Sequence, residues 1–209
     1  MISRFTKDNF IAHCNQLAGS DADLGQVIQA FGYPPFWSRT PTFPTLVHII
    51  LEQQVSLASA KAAFLKLEAT IGHITPEKIL QLGDADMKAC YFSRQKTGYV
   101  RHLSTLICSG ALDLDSLNTI DDAAARSALK QVKGIGDWTA DVFLMMALHR
   151  TDCFPSGDIA LMNSVKAVKR LPADTSKETV LGLAEQWRPL RTIAAYLLWH
   201  AYLEKRKPA

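Results

Sequence analysis

The sequence predicts an all-α protein, and three observations carry that prediction. Apolar residues recur at three- and four-residue steps along nearly the whole chain, the period of one face of a helix. No segment alternates β-branched and polar residues in the manner of a half-buried strand. The interruptions are short and rich in glycine and proline, as connections between helices are.

Taken in order, Gly32-Tyr33-Pro34-Pro35 and Thr40-Pro41-Thr42-Phe43-Pro44 bracket Phe36 and Trp37, an irregular segment with aromatics among prolines. From Thr45 to Ile71 the apolar positions Leu46, Ile49, Ile50, Val55, Leu57, Ala60, Phe64 and Leu67 follow a helical period. Gly72 and Pro76 separate two helices, and Gly83 a further pair. Asp115 to Val132 reads as an amphipathic stretch, with Asp121 and Asp122 placed where carboxylates stabilise the positive end of a helix. Trp138 to Leu148 is apolar almost all round, the pattern of a helix crossing the middle of a domain. Phe154-Pro155-Ser156-Gly157 is a turn, and Ser164 to Leu171, Lys177 to Trp187 and Pro189 to Leu203 complete the set. No tandem repeat or low-complexity linker interrupts it.

At 209 residues the chain suits one large domain or two small lobes sharing a core. With 48% hydrophobic and 21% charged residues it buries a core without disulfides. A net charge of +3 permits a nucleic-acid partner without demanding one, so any basic footprint must be local. Cys14, Cys90, Cys108 and Cys153 form no CxxC pair and have no histidine-rich neighbourhood; they read as buried small residues in a reducing compartment, not as zinc or iron–sulfur ligands. The first residues lack a signal-peptide pattern and no apolar run approaches a membrane span. The expectation is a soluble intracellular monomer, in cytoplasm and nucleoid or in a nucleus, with no membrane partner.

Between Leu129 and Ala140 a helix ends near Val132 and another begins near Asp137, joined by Gly134-Ile135-Gly136. Glycines tolerate the positive φ angles and close backbone approaches that so tight a turn needs. The start of the second helix offers unpaired N–H groups and the positive end of a dipole, a seat for a phosphate that reads no sequence. The plainer reading is an ordinary helix–turn–helix connection.

Residues 129–148 resemble the hairpin of the helix-hairpin-helix–Gly/Pro–Asp superfamily of DNA glycosylases. The resemblance extends to the Pro155–Asp158 segment, with Asp158 twenty residues beyond Trp138, to Leu51-Glu52-Gln53-Gln54-Val55-Ser56, to Phe92-Ser93-Arg94-Gln95-Lys96, and to Trp187-Arg188-Pro189-Leu190-Arg191 through Trp199. The GIGDWTA form is similar to the 3-methyladenine DNA glycosylase II branch, without the N-terminal β-rich domain of its larger members. The implied fold is two-lobed and helical, with the active-site cleft between lobes. A central lobe is expected over roughly 45–155, including the hairpin at 129–148, and a second lobe from the N-terminal segment plus roughly 156–209.

The implied partner is double-stranded DNA carrying damaged bases, and Asp158 is the implied catalytic carboxylate. Breaking an N-glycosidic bond builds positive charge on the sugar, which a carboxylate in a partly dry pocket stabilises while it orients the attacking water. An alkylated purine already carries positive charge and leaves without a general acid. Asp158 also stands where an aspartate commonly caps a helix, and both roles are compatible. Asp137 and Asp141 read as capping or solvated residues. Lyase members carry a lysine where this chain has Trp138; without that amine no Schiff base forms there, which implies a monofunctional enzyme. A glycosylase for deaminated or mismatched bases, and a damage-recognition protein without turnover, remain open alternatives.

A base must leave the stack before its bond is reached, which calls for an aromatic pocket and a plug for the gap. Trp138 and Trp199 match pocket tryptophans of the family, and Phe36, Trp37 and Phe43 are further candidates; core packing is the plainer reading for each. Gln54 matches the intercalating position and Gln53 adjoins it. Gln53, Gln54, Gly134, Ile135, Gly136 and Thr139 are the expected DNA contacts. Glu52 is either a second pocket carboxylate or a salt-bridged surface residue. Arg94-Gln95-Lys96, Arg101-His102 and Lys205-Arg206-Lys207 are phosphate contacts or solvated faces. No cofactor is required and no iron–sulfur cluster is expected. The resemblance also implies a structural Na+ or K+ held by the backbone carbonyls of Lys130, Val132 and Ile135.

Overall fold

The computed structural model describes residues 2–207, and their order is helical throughout. In chain order the helices are α1 (Lys7–Ser20), α2 (Ala22–Phe31), α3 (Phe43–Glu52), α4 (Leu57–Ile71), α5 (Pro76–Gln81), α6 (Asp84–Ala89), α7 (Arg94–Cys108), α8 (Asp122–Lys130), α9 (Asp137–Met146), α10 (Ile159–Val168), α11 (Lys177–Ala184) and α12 (Arg191–Glu204). Two short 3-10 turns lie at Ser116–Asn118 and Glu185–Trp187. The all-α expectation is met: the one extended pairing among the described residues is an isolated bridge between Arg4 and Arg150. No described helix is long and apolar enough to cross a membrane.

The chain divides into two compact units, one of Arg39–Leu148 with Ile2, the other of Ser3–Ser38 with the chain from His149 onward. In the first unit α3 packs against α4, α7 and α9. Its apolar residues Phe43, Leu46, Val47, Ile49, Ile50 and Leu51 are all buried. On α9 every residue from Thr139 to Met145 is buried, as its all-round apolar pattern predicts. Four of the unit's helices, α4, α5, α7 and α8, start where a side chain satisfies an end amide: Ser56 accepts from Ser59, Thr75 from Lys78, Ser93 from Lys96 and Asp121 from Ala124.

In the second unit α12 is the central element, buried from Thr192 to Leu198 and packed against α1, α2 and α10. Thr6 and Asn9 form a reciprocal capping box at the start of α1. Asp21 caps α2 and also receives the Lys169 ammonium at 2.6 Å and the Trp187 indole N–H at 2.7 Å, tying three stretches of chain together. The first residues are laced to the segment after Leu148: the Phe5 amide donates to the His149 carbonyl at 2.9 Å, and the Thr151 amide to the Ser3 carbonyl at 3.2 Å.

Several expectations need correction. The pattern over Thr45 to Ile71 is two helices, broken at 53–56, where Gln54 takes φ +57°. Val55 and Leu57, placed on one continuous helical period, are 46% and 67% exposed because they lie at that break. The stretch from Asp115 becomes α-helical only at Asp122, since Asp121 turns its side chain to the cap. Cys108 is exposed; the other three cysteines are buried as expected. Asp141 is not solvated but buried beside Arg126, whose Nε donates to it at 3.0 Å.

Candidate active site

The hairpin of the first unit is built by exclusion. Gly134 has φ +88°, and a Cβ there would lie 2.2 Å from the Tyr99 ring, so both conformation and space demand glycine. The Ile135 amide closes the turn on the Val132 carbonyl at 3.0 Å, and the Ile135 side chain is buried beneath it. Gly136 is different: it opens α9 with an ordinary negative φ, −98°, and a Cβ would meet nothing within 4 Å. The fold leaves room there, and the N-cap residue brings no side-chain acceptor to the first amides of α9. That is the arrangement of an anion seat on a helix N-terminus. Lys130 and Asp137 pair across the hairpin at 2.6 Å.

Next to the hairpin stands the break after α3. The Gln53 side-chain amide donates to the Gly134 carbonyl at 2.9 Å and to the Thr139 hydroxyl at 2.8 Å. Gln53 and Thr139 were expected to touch DNA; their side chains instead bind each other, and Thr139 is 2% exposed. Gln54 is exposed. Lys96 donates to the Leu51 carbonyl at 2.6 Å, and burial pulls its ammonium below the usual lysine range. Lys96 therefore supports the end of α3 and is not a free phosphate contact. Arg101 likewise serves the fold through the Leu82 carbonyl, and the His102 ring accepts the Lys133 amide. Glu52 is salt-bridged, taking both arms of the Arg39 guanidinium at 2.7 and 3.1 Å, but with 7% of its side chain exposed it is not a surface residue. Trp138 is half-buried at the start of α9. Phe43 is buried as the first residue of α3.

In the second unit Asp158 is the N-cap of α10. Its Oδ1 accepts the Leu161 amide at 2.8 Å, while its own amide closes a turn on the Pro155 carbonyl at 2.9 Å. Cys153, Phe154 and Pro155 before it are buried, and the Thr192 hydroxyl of α12 accepts the Cys153 amide at 3.0 Å. The turn is thereby anchored on the central helix while the carboxylate stays half-exposed and Ile159 beside it is 77% exposed. The aromatic group of this unit is Trp37, Tyr196 and Trp199, with ring centroids 5.3 to 6.4 Å apart, and the Tyr196 hydroxyl donates to the Trp37 carbonyl at 2.6 Å. Trp37 and Trp199 are half-buried and retain partly open surface. Phe36 is half-buried, stacked on His149 and edge-on to Phe5 and Phe10, which in turn meet Tyr196.

The sequence reading missed Tyr99, Tyr196 and the Gln53 bridge. Tyr99 and Tyr196 occupy ordinary helical positions, and no local pattern marks what lies opposite them.

The chain belongs to the HhH-GPD superfamily of base excision DNA repair proteins, whose family model matches residues 47–189. It is 28% identical over 190 residues to DNA-3-methyladenine glycosylase 1 of Schizosaccharomyces pombe, covering 88% of this chain and 83% of that protein. Among solved structures, the fission-yeast 3-methyladenine DNA glycosylase Mag1 in complex with abasic DNA superposes with a TM-score of 0.82 at 28% identity, over 90% of this chain and 95% of that one. A DNA-3-methyladenine glycosidase from Bacillus halodurans gives 0.77 at 28% identity, over 98% and 95%.

Proposed function

We propose that the chain is a monofunctional DNA glycosylase that hydrolyses the N-glycosidic bond of alkylated purines, of the 3-methyladenine and 7-methylguanine type, in duplex DNA. The observation that carries this reading is Asp158: a half-exposed carboxylate held by a helix start, downstream of a hairpin suited to phosphate. In the proposed reaction the nucleotide is everted and the hairpin holds the backbone through the amides after Gly136. Asp158 faces the sugar, stabilises the oxocarbenium-like charge and orients water. Trp37 and Trp199 supply π surfaces on which a cationic base stacks, and Gln54 fills the gap it leaves. Trp138 offers no amine, so the product is an intact abasic site.

The protein acts as a monomer on damaged duplex DNA in the compartment that holds the genome, and needs no cofactor or iron–sulfur cluster for turnover. The hairpin is suited to a structural Na+ or K+: the carbonyls of Lys130, Val132 and Ile135 are neutral oxygen donors, and the Val132 oxygen keeps a second lone pair beside its bond to Ile135. An ion held there would supply positive charge to the hairpin.

The test incubates purified protein with duplexes carrying single defined lesions, then treats half of each sample with alkali. Release of alkylated purines with strand breakage only after alkali is the expected result. Cleavage without alkali, or release confined to deaminated or mismatched bases, overturns the reading.

A further inference from the structure

We propose that Gln53 is a positioning residue that locks the Gln54 turn to the strand-gripping hairpin, making the grip on the phosphate backbone and the plug offered to the base stack one rigid piece. This rests on the proposed roles of the hairpin and of Gln54.

Gln53 is the C-cap of α3, with ψ 122°, and its own amide reaches back to Ile50 at a long 3.4 Å. The backbone has left the helix and little of it is held by helical bonding. The side chain does the holding. Its Nε2 donates to the Gly134 carbonyl and to the Thr139 hydroxyl, one on the turn and one on the first turn of α9. A carbonyl only accepts, so the orientation of the amide is dictated by Gly134. The next residue, Gln54, takes φ +57°, a conformation that persists only where its surroundings enforce it. Helix α7 closes the arrangement from below: Lys96 holds the Leu51 carbonyl, and one turn on Tyr99 fills the space under Gly134. Two independent supports from one helix and a direct strut thus converge on a turn whose outward residues, Gln54, Val55 and Leu57, are exposed and make no core.

The experiment uses the full chain and two probes, a duplex with a tetrahydrofuran abasic analogue flanked by 2-aminopurine and the same duplex undamaged. Gln53→Glu keeps shape but removes both donors. It is expected to weaken binding to the abasic duplex about tenfold, the scale of one or two lost hydrogen bonds, and to reduce the 2-aminopurine signal of stack disruption. Gln54→Ala has the same signature, and the double variant is no weaker than Gln53→Glu alone, because a displaced turn has no plug to lose. Thr139→Val removes one acceptor with little change in shape and is expected to move both readouts in the same direction, by less; it decides the matter if Gln53→Glu fails to fold. Parental binding and fluorescence in Gln53→Glu, or in Thr139→Val should Gln53→Glu not fold, or strictly additive costs with Gln54→Ala, overturn the proposal. These probes need no base release, so a failed lesion assay would sink the proposed reaction and leave the Gln53 comparison readable.

Discussion

Tyr99 occupies the space that any side chain at Gly134 would need: its ring lies 2.2 Å from where a Cβ would stand. Gly134→Ala therefore pairs a left-handed backbone with overpacking and is expected to destabilise the fold by roughly 2–4 kcal/mol. Gly136→Ala meets nothing within 4 Å and should leave stability within about 0.5 kcal/mol of the parent. It should nonetheless weaken DNA binding, because a methyl group would stand in the proposed phosphate seat. Thermal melts and binding titrations on both variants separate the two glycines; equal melting temperatures would contradict the assignment.

Asp158→Asn keeps an N-cap of similar quality, so its melting temperature should match the parent. Base release should fall by about a hundredfold or more, since the charge proposed to face the sugar is gone, with DNA binding retained. A variant of parental activity would remove Asp158 from the reaction.

Arg126→Met leaves the Asp141 carboxylate buried without its guanidinium. Breaking a fully buried pair costs roughly 3–5 kcal/mol; with 29% of the Arg126 side chain exposed, about 2–3 kcal/mol is expected in urea titrations. Replacing Asp141 by Asn in the same background should recover part of it.

The Asp21 cluster sets an acid limit. Burial pushes this carboxyl up, but the Lys169 ammonium, the Trp187 N–H and the Leu24 amide outweigh it and hold it below the usual range. The unfolded chain then takes up the proton first as pH falls. The contribution is full above the unfolded value of 3.8 and is lost as pH falls through the folded one. Denaturation curves between pH 5 and 2 should show the parent losing more stability than Asp21→Asn; parallel losses would rule this out.

DNA binding should weaken steadily with rising salt, as displacement of counterions by a phosphate-gripping hairpin requires. A flat salt response would remove the hairpin from the interface.

Much of this was legible in the residues. The helical periods, the GIG hairpin and the Pro155–Asp158 turn are local patterns, and local patterns survive folding. What escaped is long-range or unmarked. The break after α3 carries no glycine or proline, because Gln54 is held at positive φ by neighbours distant in sequence. Asp141 reads as solvated until Arg126, fifteen residues away, is seen beside it. Phe36 and Phe43 sit among prolines and are nonetheless packing residues, the one among Phe5, Phe10 and His149, the other at the head of a buried helix.

The lacing of Ser3 and Phe5 to His149 and Thr151 bears on how the molecule is made. A ribosome delivers α1 and α2 first, yet the helix that covers them, α12, comes last. At about 5–20 residues per second the wait is on the order of ten seconds or more. Throughout it Phe5, Phe10, Leu17 and Leu24 lack the cover of α12, while Arg39–Leu148 already holds every helix of its own unit. Truncation near the C-terminus would thus strand the earliest-made residues, not the latest.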